Sequence, residues 1–544
     1  MKLQKIVLAS GITGLAIVAL LGLSSLKKAP VKPAADKRPN IVLIMADDMG
    51  FSDVGAYGGE IPTPNIDGIA KAGIRFTQFY NTTRCCPTRA SLLTGLYSHQ
   101  AGIGQMSEDP FGNAADDPFH WGTTAYQGFL TNNCRTVAEV LKPAGYHTYM
   151  TGKWHLGMHG QEKWPLQRGF EKYYGILAGA SSYLKPAPPR GLTYMNQNLA
   201  APDSAYYTTN AFTTNAIDFV REQKDDKPFF LYLAYNAPHW PLQALPQDIA
   251  LFKDKYKVGW DAIRKARFES QQKQGIFDKD FKLSNRDERV RSWDKLTPVE
   301  QERVSNRMAV YAAMVYRMDQ NVGRLINYLK KSGKYENTIF IFLSDNGACA
   351  EAYDELGSQD TSLINSPKYS AVSYGMGWAN ASNTPFRKWK NRPEEGGMTA
   401  PFMISWPAKA GKTYQPGTFN RTLCHLIDLM PTFMEVSGAQ YPATFEGKPT
   451  PELQGRSILP ALNSKPLSVH PYLFFEHESN CAVRKGDWKA AKAIKDPQWR
   501  LFNLATDRAE EHNVAQQHPD IVKDLDEHWQ EWAKKYKVLE KRKS

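Results

Sequence analysis

Four short apolar runs set the strongest limit on what this chain can fold into, because each stops at a polar cluster. "NIVLIMADD" (40–48) ends in Asp47 and Asp48, and "YHTYMTGKWHLG" (146–157) in Lys153 and His155. "PFFLYLAYNAPHWP" (228–241) runs into His239, and "TIFIFLSDNG" (338–347) into Asp345 and Asn346. Near-continuous β-branched and aromatic runs suit strands buried on both faces of a parallel or mixed sheet. Helical patterns lie between them. The clearest is 300–331, with Met308, Tyr311, Met314, Val315, Met318, Val322, Leu325, Ile326 and Leu329 on one face and Gly333 as a C-terminal stop. Strand–helix alternation predicts an α/β fold, a large, mixed, mostly parallel sheet sandwiched by helices. Ligands of such sheets bind beyond the carboxyl ends of the strands. The four clusters are therefore expected to converge on one site.

A chain of 544 residues is long enough for a large core and more than one domain. Six cysteines are too few for a disulfide scaffold. The net charge of +12 fits either a solvated basic surface or attraction to anionic substrates. No zinc-finger, RNP-type or basic-zipper pattern occurs, so nucleic acid is not an expected partner. At the N-terminus, basic "MKLQK", the uncharged apolar run 6–26 and a Lys/Pro/Ala linker read as an export signal, cleaved or retained as an anchor. Residues 250–299 are charged and weakly periodic, which reads as a surface insertion and a candidate lid. The tail combines short antiparallel strands ("PYLFFEHE", "NCAVRKGDWKAAKA", "WRLFNL") with an amphipathic helix from "PDIVKDL" onward. The expected organisation is an export segment with linker at 1–37, a catalytic domain at 38–465 and a smaller α+β subdomain with an antiparallel sheet at 466–544.

Asp47, Asp48, Asp345 and the amide of Asn346 offer only oxygen ligands, which suits calcium or magnesium rather than zinc. Like charges crowded at one place need a cation to hold them. Arg89, Lys153, His155, His239 and Lys390 would surround that cation with donors, as an anionic tetrahedral group requires. A nucleophile is still needed. "RCCPTRASLLTG" (84–95) offers two adjacent cysteines, open to reading as a redox pair, a metal site, a disulfide or a nucleophile. A plain thiolate is poorly matched to a hard cation, and an oxygen nucleophile would fit better.

"CCPTRASLLTG" resembles the signature of the formylglycine-dependent sulfatases, of arylsulfatase type within the alkaline-phosphatase-like superfamily. The resemblance runs from about residue 38 to 535. "RPNIVLIMADDMG", "GKWHLG", "NAPHWP", "SDNG", "TPFRKWKNRPEEGG" and "RLFNLATDRAEEHNVA" are similar to the family's other motifs in order. It implies an alkaline-phosphatase-like fold and hydrolysis of aryl sulfates or sulfated carbohydrates to alcohol and inorganic sulfate. In this register Cys85 is the residue converted to formylglycine by a formylglycine-generating enzyme, since Pro87 must lie two places after it. Cys86 is then a bystander. Asp47, Asp48, modified Cys85, Asp345 and Asn346 would bind calcium, with magnesium the alternative. Arg89 would stabilise the hydrated aldehyde, Lys153 and Lys390 would hold sulfate oxygens, and His155 would assist breakdown of the hydrate. His239 would protonate the leaving oxygen, and Asp345 would act as base. The stretch after Lys390, "NRPEEGG", departs from the small or apolar residues usual there.

Three other readings compete. The same aldehyde could serve a phosphonate or phosphate ester hydrolase. An exported binding protein could keep Cys85 as a thiol and hold anionic glycans. A Cys85–Cys86 redox switch would lack Cys-x-x-Cys spacing. His477 is read either as a substrate contact or as packing. Asn81, Asn380 and Asn420 match the glycosylation pattern. The expected location is periplasmic, secreted or membrane-anchored, with membrane contact only through the N-terminal segment.

Overall fold

Alternate residues of the first apolar run point to opposite sides of a sheet, and both sides are buried. Val42, Ile44 and Ala46 belong to one apolar cluster, and Ile41, Leu43 and Met45 to another. A strand covered on both faces has no polar side to show, which is why the run is continuous. The computed structural model describes residues 38–107, 122–203, 205–351, 354–357, 362–368 and 370–539. The segment at 1–37, expected from the sequence to serve export, lies outside these, and no helix of the described residues is long and apolar enough to cross a membrane.

The main sheet is built from β1 (Asn40–Ala46), β2 (Ile74–Phe76), β3 (His147–Lys153), β4 (Lys172–Ile176), β5 (Thr193–Tyr194), β6 (Gln197–Asn198), β7 (Phe229–Ala234), β8 (Thr338–Ser344), β9 (Phe402–Ser405) and β10 (Thr418–Asn420). Its order is β10-β2-β9-β8-β1-β7-β3-β4-β5-β6. The four runs singled out in the sequence are β1, β3, β7 and β8. They are adjacent and parallel, with Ala46 opposite Ser344, Met45 opposite Ala234 and Gly152 opposite Ala234. Their carboxyl ends therefore share one edge. β9 runs antiparallel to β8 and β2, and β5 antiparallel to β4, so the sheet is mixed but parallel at its centre.

Four helices matter for the site: α1 (Cys85–Thr94), α2 (Thr208–Arg221), α3 (Trp260–Lys273) and α4 (Pro298–Lys331). α4 begins with a capping box between Thr297 and Glu300 and buries Met308, Tyr311, Met314, Val315, Met318, Val322, Leu325 and Leu329. It stops at Ser332, and Gly333 follows at φ +70°, the left-handed conformation of the expected helix stop.

Residues 250–299 are not a loose insertion. α3 buries Trp260, Ile263, Arg264, Arg267 and Gln271. Arg267 lies 2.6 Å from Asp53 and 2.7 Å from Glu60, and Gln271 donates to the carbonyls of Tyr57 and Thr384. Trp260 packs edge-on against Trp293 and Trp378. The segment is a buttress for the loop that follows β1. Charge alone misread it, because the partners of its arginine lie about 200 residues away and appear only on folding.

The C-terminal strands β11 (Leu473–His477), β12 (Asn480–Lys485), β13 (Trp488–Lys492) and β14 (Arg500–Asn503) form an antiparallel meander. α5 (Pro519–Lys535) covers it with Leu525, Trp529, Trp532 and Ala533. A buried ion network ties this sheet to the larger one. Glu395 accepts from Tyr80 at 2.7 Å, Lys489 at 3.0 Å and Arg508 at 3.0 Å, and Lys489 also pairs with Glu510 at 2.8 Å.

The buttress reading has a stability consequence. Arg267→Met would leave Asp53, wholly buried, without its cation. The expected loss is about 3–5 kcal/mol, read as a lower urea midpoint at unchanged slope. A loss below about 1 kcal/mol, the level of an exposed pair, would return residues 250–299 to the status of a surface lid.

Candidate active site

The site is assembled from strand ends. Asp47 and Asp48 follow β1, and Asp345 and Asn346 follow the neighbouring β8. The backbone locks the pair together: Asp345 N donates to Ala46 O at 3.1 Å, and Asp48 N to Asp345 Oδ1 at 3.0 Å. Lys153 ends β3, and His155 lies two residues on. His239 sits in the loop after β7, and Lys390 in the loop before β9. Every one of these side chains is buried.

Each carboxylate has its own cation. Asp345 accepts from Arg89 Nη2 at 2.9 Å, Asp47 from Lys153 Nζ at 2.7 Å, and Asp48 Oδ1 lies 2.9 Å from Lys390 Nζ. Arg89 also lies 3.6 Å from Asp47 and donates to Lys153 O at 3.1 Å, so it spans the junction of the two strand ends. Asn346 Nδ2 donates to Asp48 Oδ1 at 2.7 Å, and His239 Nε2 is 3.4 Å from Asp48 Oδ2.

Cys85 occupies the first turn of α1, and Arg89 stands one turn further on the same face. Helix amide groups and the helix dipole favour an anion at this end. Cys85, Cys86 and His155 present ligand atoms within 4.8 Å of one another. A hydrogen bond from Cys86 holds the Cys85 thiol well below its ordinary range; burial opposes this, and Lys153, His155 and Lys390 reinforce it. Cys86 therefore does more than fill space. Its own thiol is pushed far up by burial, and it accepts from Ser107 N at 3.2 Å.

The oxygens fit a hard cation. Burial pushes Asp47 up, and burial with the charge of Asp47 pushes Asp345 well up, despite their cations. Asp48 is held down against its burial by Lys390 and His239. Asp47 Oδ1 and Asn346 Oδ1 are buried and accept no hydrogen bond among the described residues. Orphaned acceptors among carboxylates are what calcium or magnesium would satisfy.

The backbone is bent to make this set. Asp48 and His155 adopt φ of +65° and +58°, a left-handed conformation that costs about 1–2 kcal/mol at a non-glycine residue. Gly152 at φ +106° precedes Lys153; a Cβ there would lie 1.8 Å from Ala234 O. Only glycine lets β3 turn against β7 at the mouth of the site.

All ten residues proposed from the sequence gather here: Asp47, Asp48, Cys85, Arg89, Lys153, His155, His239, Asp345, Asn346 and Lys390. Several others were missed. Glu351 receives Arg84 at 2.6 Å and Trp240 Nε1 at 2.8 Å, and lies 3.5 Å from Lys390. Its signal was its position six residues after Asp345 in the same strand-end loop. Asn81 Nδ2 donates to Ser344 O at 2.7 Å and braces β8. Asn81 and Asn380 are buried, which leaves no room for a glycan on either. His477 is wholly buried at the end of β11, 3.8 Å from Glu478.

The family model described as "Sulfatase" matches residues 39–439, and that of "N-sulphoglucosamine sulphohydrolase, C-terminal" matches 390–535. An uncharacterized sulfatase of Schizosaccharomyces pombe is 35% identical over 529 residues, 92% of this chain and 94% of that protein. An arylsulfatase of Klebsiella aerogenes is 35% identical over 447 residues, covering 78% of this chain and 92% of the relative. The crystal structure of Ps i-CgsB, also solved in complex with k-i-k-neocarrahexaose, superposes with a TM-score of 0.64 at 28% identity, over 91% of this chain and 93% of that one.

Burial holds both site histidines down to about 4, so both are neutral at pH 7. A histidine lowered in the folded state gives stability that is present above its unfolded value of about 6.5 and lost as pH falls through its folded value. The urea midpoint of the metal-free protein is expected to fall between pH 6.5 and 4. His155→Gln/His239→Gln should flatten that fall. An equally steep fall in the double variant would show that neither ring is buried neutral.

Proposed function

The chain belongs to the sulfatase family, and on that premise we propose that it hydrolyses sulfate esters through a formylglycine made from Cys85, with calcium held by Asp47, Asp48, residue 85, Asp345 and Asn346. One observation carries this reading. Cys85 sits at a helix N-terminus beside an all-oxygen donor set with two orphaned oxygens, and three cationic side chains, Arg89, Lys153 and Lys390, surround them. When present, formylglycine hydrate supplies an oxygen nucleophile and calcium supplies charge to polarise the sulfuryl oxygens.

The chain's own residues do the rest. Arg89 spans Asp47 and Asp345 and fixes the base of the site. Lys153 and Lys390, paired with carboxylates, are positioned to turn donors toward sulfate oxygens once a divalent ion shares the load on those carboxylates. His155 hydrogen-bonds residue 85 and takes or returns a proton there. His239 Nδ1–H donates to Trp240 O at 2.6 Å, which leaves Nε2 facing the reacting group. An anionic ester beside this ring favours its charged form, so Nε2 acquires a proton to give to the leaving oxygen. Asp345 is the candidate base for the attacking hydroxyl.

Aryl sulfates and sulfated carbohydrates are both proposed leaving-group classes. A relative named an arylsulfatase supports the first, and a structural neighbour in complex with k-i-k-neocarrahexaose supports the second. We further read 38–465 as the catalytic domain and 466–544 as its C-terminal subdomain. Residues 1–37 are read as the export signal or anchor. Maturation would require a formylglycine-generating enzyme.

The test is a rate ratio. The protein is made in cells that form formylglycine, and calcium is present throughout. Nitrophenyl sulfate should turn over at least about tenfold faster than the matching phosphonate, and Cys85→Ala should lose about a thousandfold or more. A phosphonate preference would move the protein to the sister hydrolase activity. Cys85→Ser should stop after one turnover as a sulfated protein detectable by mass spectrometry, and sustained turnover by it would exclude the proposed chemistry. Chelation should remove activity and lower Tm, because a ligand bound only by the native state stabilises it.

A further inference from the structure

The loop after β4 leaves and returns on the same side of the sheet as the site. β4 ends at Ile176, and Gly175 pairs with Thr193 of antiparallel β5, so residues 177–192 form an excursion above the carboxyl-end edge. Gly179 in this loop lies against His155; a Cβ there would meet the imidazole at 2.5 Å. Four residues on, the loop is stitched to the segment that carries His239. Tyr183 OH donates to His239 O at 2.8 Å, and Tyr183 N to Gln243 Oε1 at 2.6 Å. Gln243 Nε2 in turn holds the carbonyls of Ser366 and Lys368.

These contacts enclose a cavity of about 460 Å3, walled by Ser181, Ser182, Lys185, Arg190, Pro367 and Lys368 together with a proline-rich rim. Its chemistry is cationic. Lys185 and Lys368 are exposed, and among the described residues neither ammonium group is within ion-pair distance of a carboxylate. Arg190 Nη1 donates to Ala180 O at 3.3 Å, which holds its guanidinium at the wall. Ser182 Oγ donates to Pro367 O at 2.9 Å and joins the two sides. Among the described residues, no carboxylate lines the cavity. Its rim residues Pro188 and Pro189 also wall a smaller cavity of about 260 Å3 that reaches Met158 and His159, just past His155.

We propose that this cavity is a second anion subsite, taking an oxyanion group such as a further sulfate or a carboxylate on the leaving-group part of a multiply charged substrate whose reacting ester lies at residue 85. It rests on the esterase reading above and deepens it: the preferred substrate carries at least two negative charges, one on the reacting ester and one on its leaving-group part. A basic concave wall next to the reacting centre raises the local concentration of such a substrate and fixes its orientation. The residues that do this are outside the reacting machinery, so they act on kcat/KM for one substrate class and leave the chemistry of simple esters alone.

The experiment compares an aryl sulfate having no other charge with aryl sulfates that bear, on a spacer, a second sulfate or a carboxylate. Kinetics are measured for the wild type, Lys185→Ala/Lys368→Ala and Lys185→Glu/Lys368→Glu at low and at physiological salt. The alanine pair should lower kcat/KM for the doubly charged substrates about tenfold and weaken its salt dependence, and the glutamate pair should lower it further. The singly charged substrate should stay within about twofold. The sulfate and carboxylate arms identify which oxyanion is preferred. Equal losses on singly and doubly charged substrates, or no loss on either, would overturn the subsite. If the reacting ester proves to be a phosphonate, the same series built on phosphonates tests the subsite unchanged, so the two readings fail separately.

Discussion

Three carboxylates at the ends of two adjacent strands are the constraint on which the rest of this structure depends. Asp47, Asp48 and Asp345 are fully buried, and the backbone amide of Asp48 donates to Asp345 Oδ1. Left alone, they could not all be charged in so small a volume. The fold meets this with one cation each, and each cation arrives from a different place: Arg89 from α1, Lys153 from the end of β3, Lys390 from the loop before β9. The need to neutralise these acids thus draws together five segments of the chain, the two strands that carry the acids and the three places the cations come from. The compensation is incomplete, as the raised Asp47 and Asp345 and the orphaned oxygens show. That incompleteness is what the proposed divalent ion would relieve.

Rigid support surrounds this cluster. The loop after β1 is pinned by Asp53, which accepts from Tyr311 of α4 at 2.7 Å and pairs with Arg267 of α3. The opposite side is pinned by Glu395, whose network joins Tyr80, just before Cys85, to Lys489 and Arg508 of the C-terminal part. Left-handed backbone at Asp48 and His155 persists because its surroundings overdetermine it. The clustered acids and cations are therefore held by packing and ion pairs made elsewhere, and the small antiparallel sheet takes part in holding them.

Legibility differed by element. β1, β3, β7 and β8 could be read directly, because a strand buried on both faces must be apolar throughout and must turn polar where it leaves the sheet. α4 was equally clear from its periodicity and the glycine that follows it, while the capping box at its start was seen only in the structure. α3 was misread because its buried face includes arginine and glutamine, whose partners Asp53, Glu60 and Tyr57 lie far away in sequence. Glu351 escaped notice since a single acid in a strand-end loop looks like any solvated residue until Lys390, Arg84 and Trp240 are brought to it. Cys86 could be taken for a bystander because its effect on Cys85 is a contact between side chains.

By itself the sequence determined the class of fold, the strands whose ends would meet and the chemistry of the groups they carry. Residue type and local period decide those, and both are properties of short stretches of chain. Only the tertiary structure decided which cation serves which carboxylate, which oxygens stay unsatisfied, and that a basic cavity stands in the loop packed against His155. Those outcomes depend on contacts a few ångströms long between residues separated by tens to hundreds of positions. Burial then sets their strength, and it exists only once the chain has closed around them.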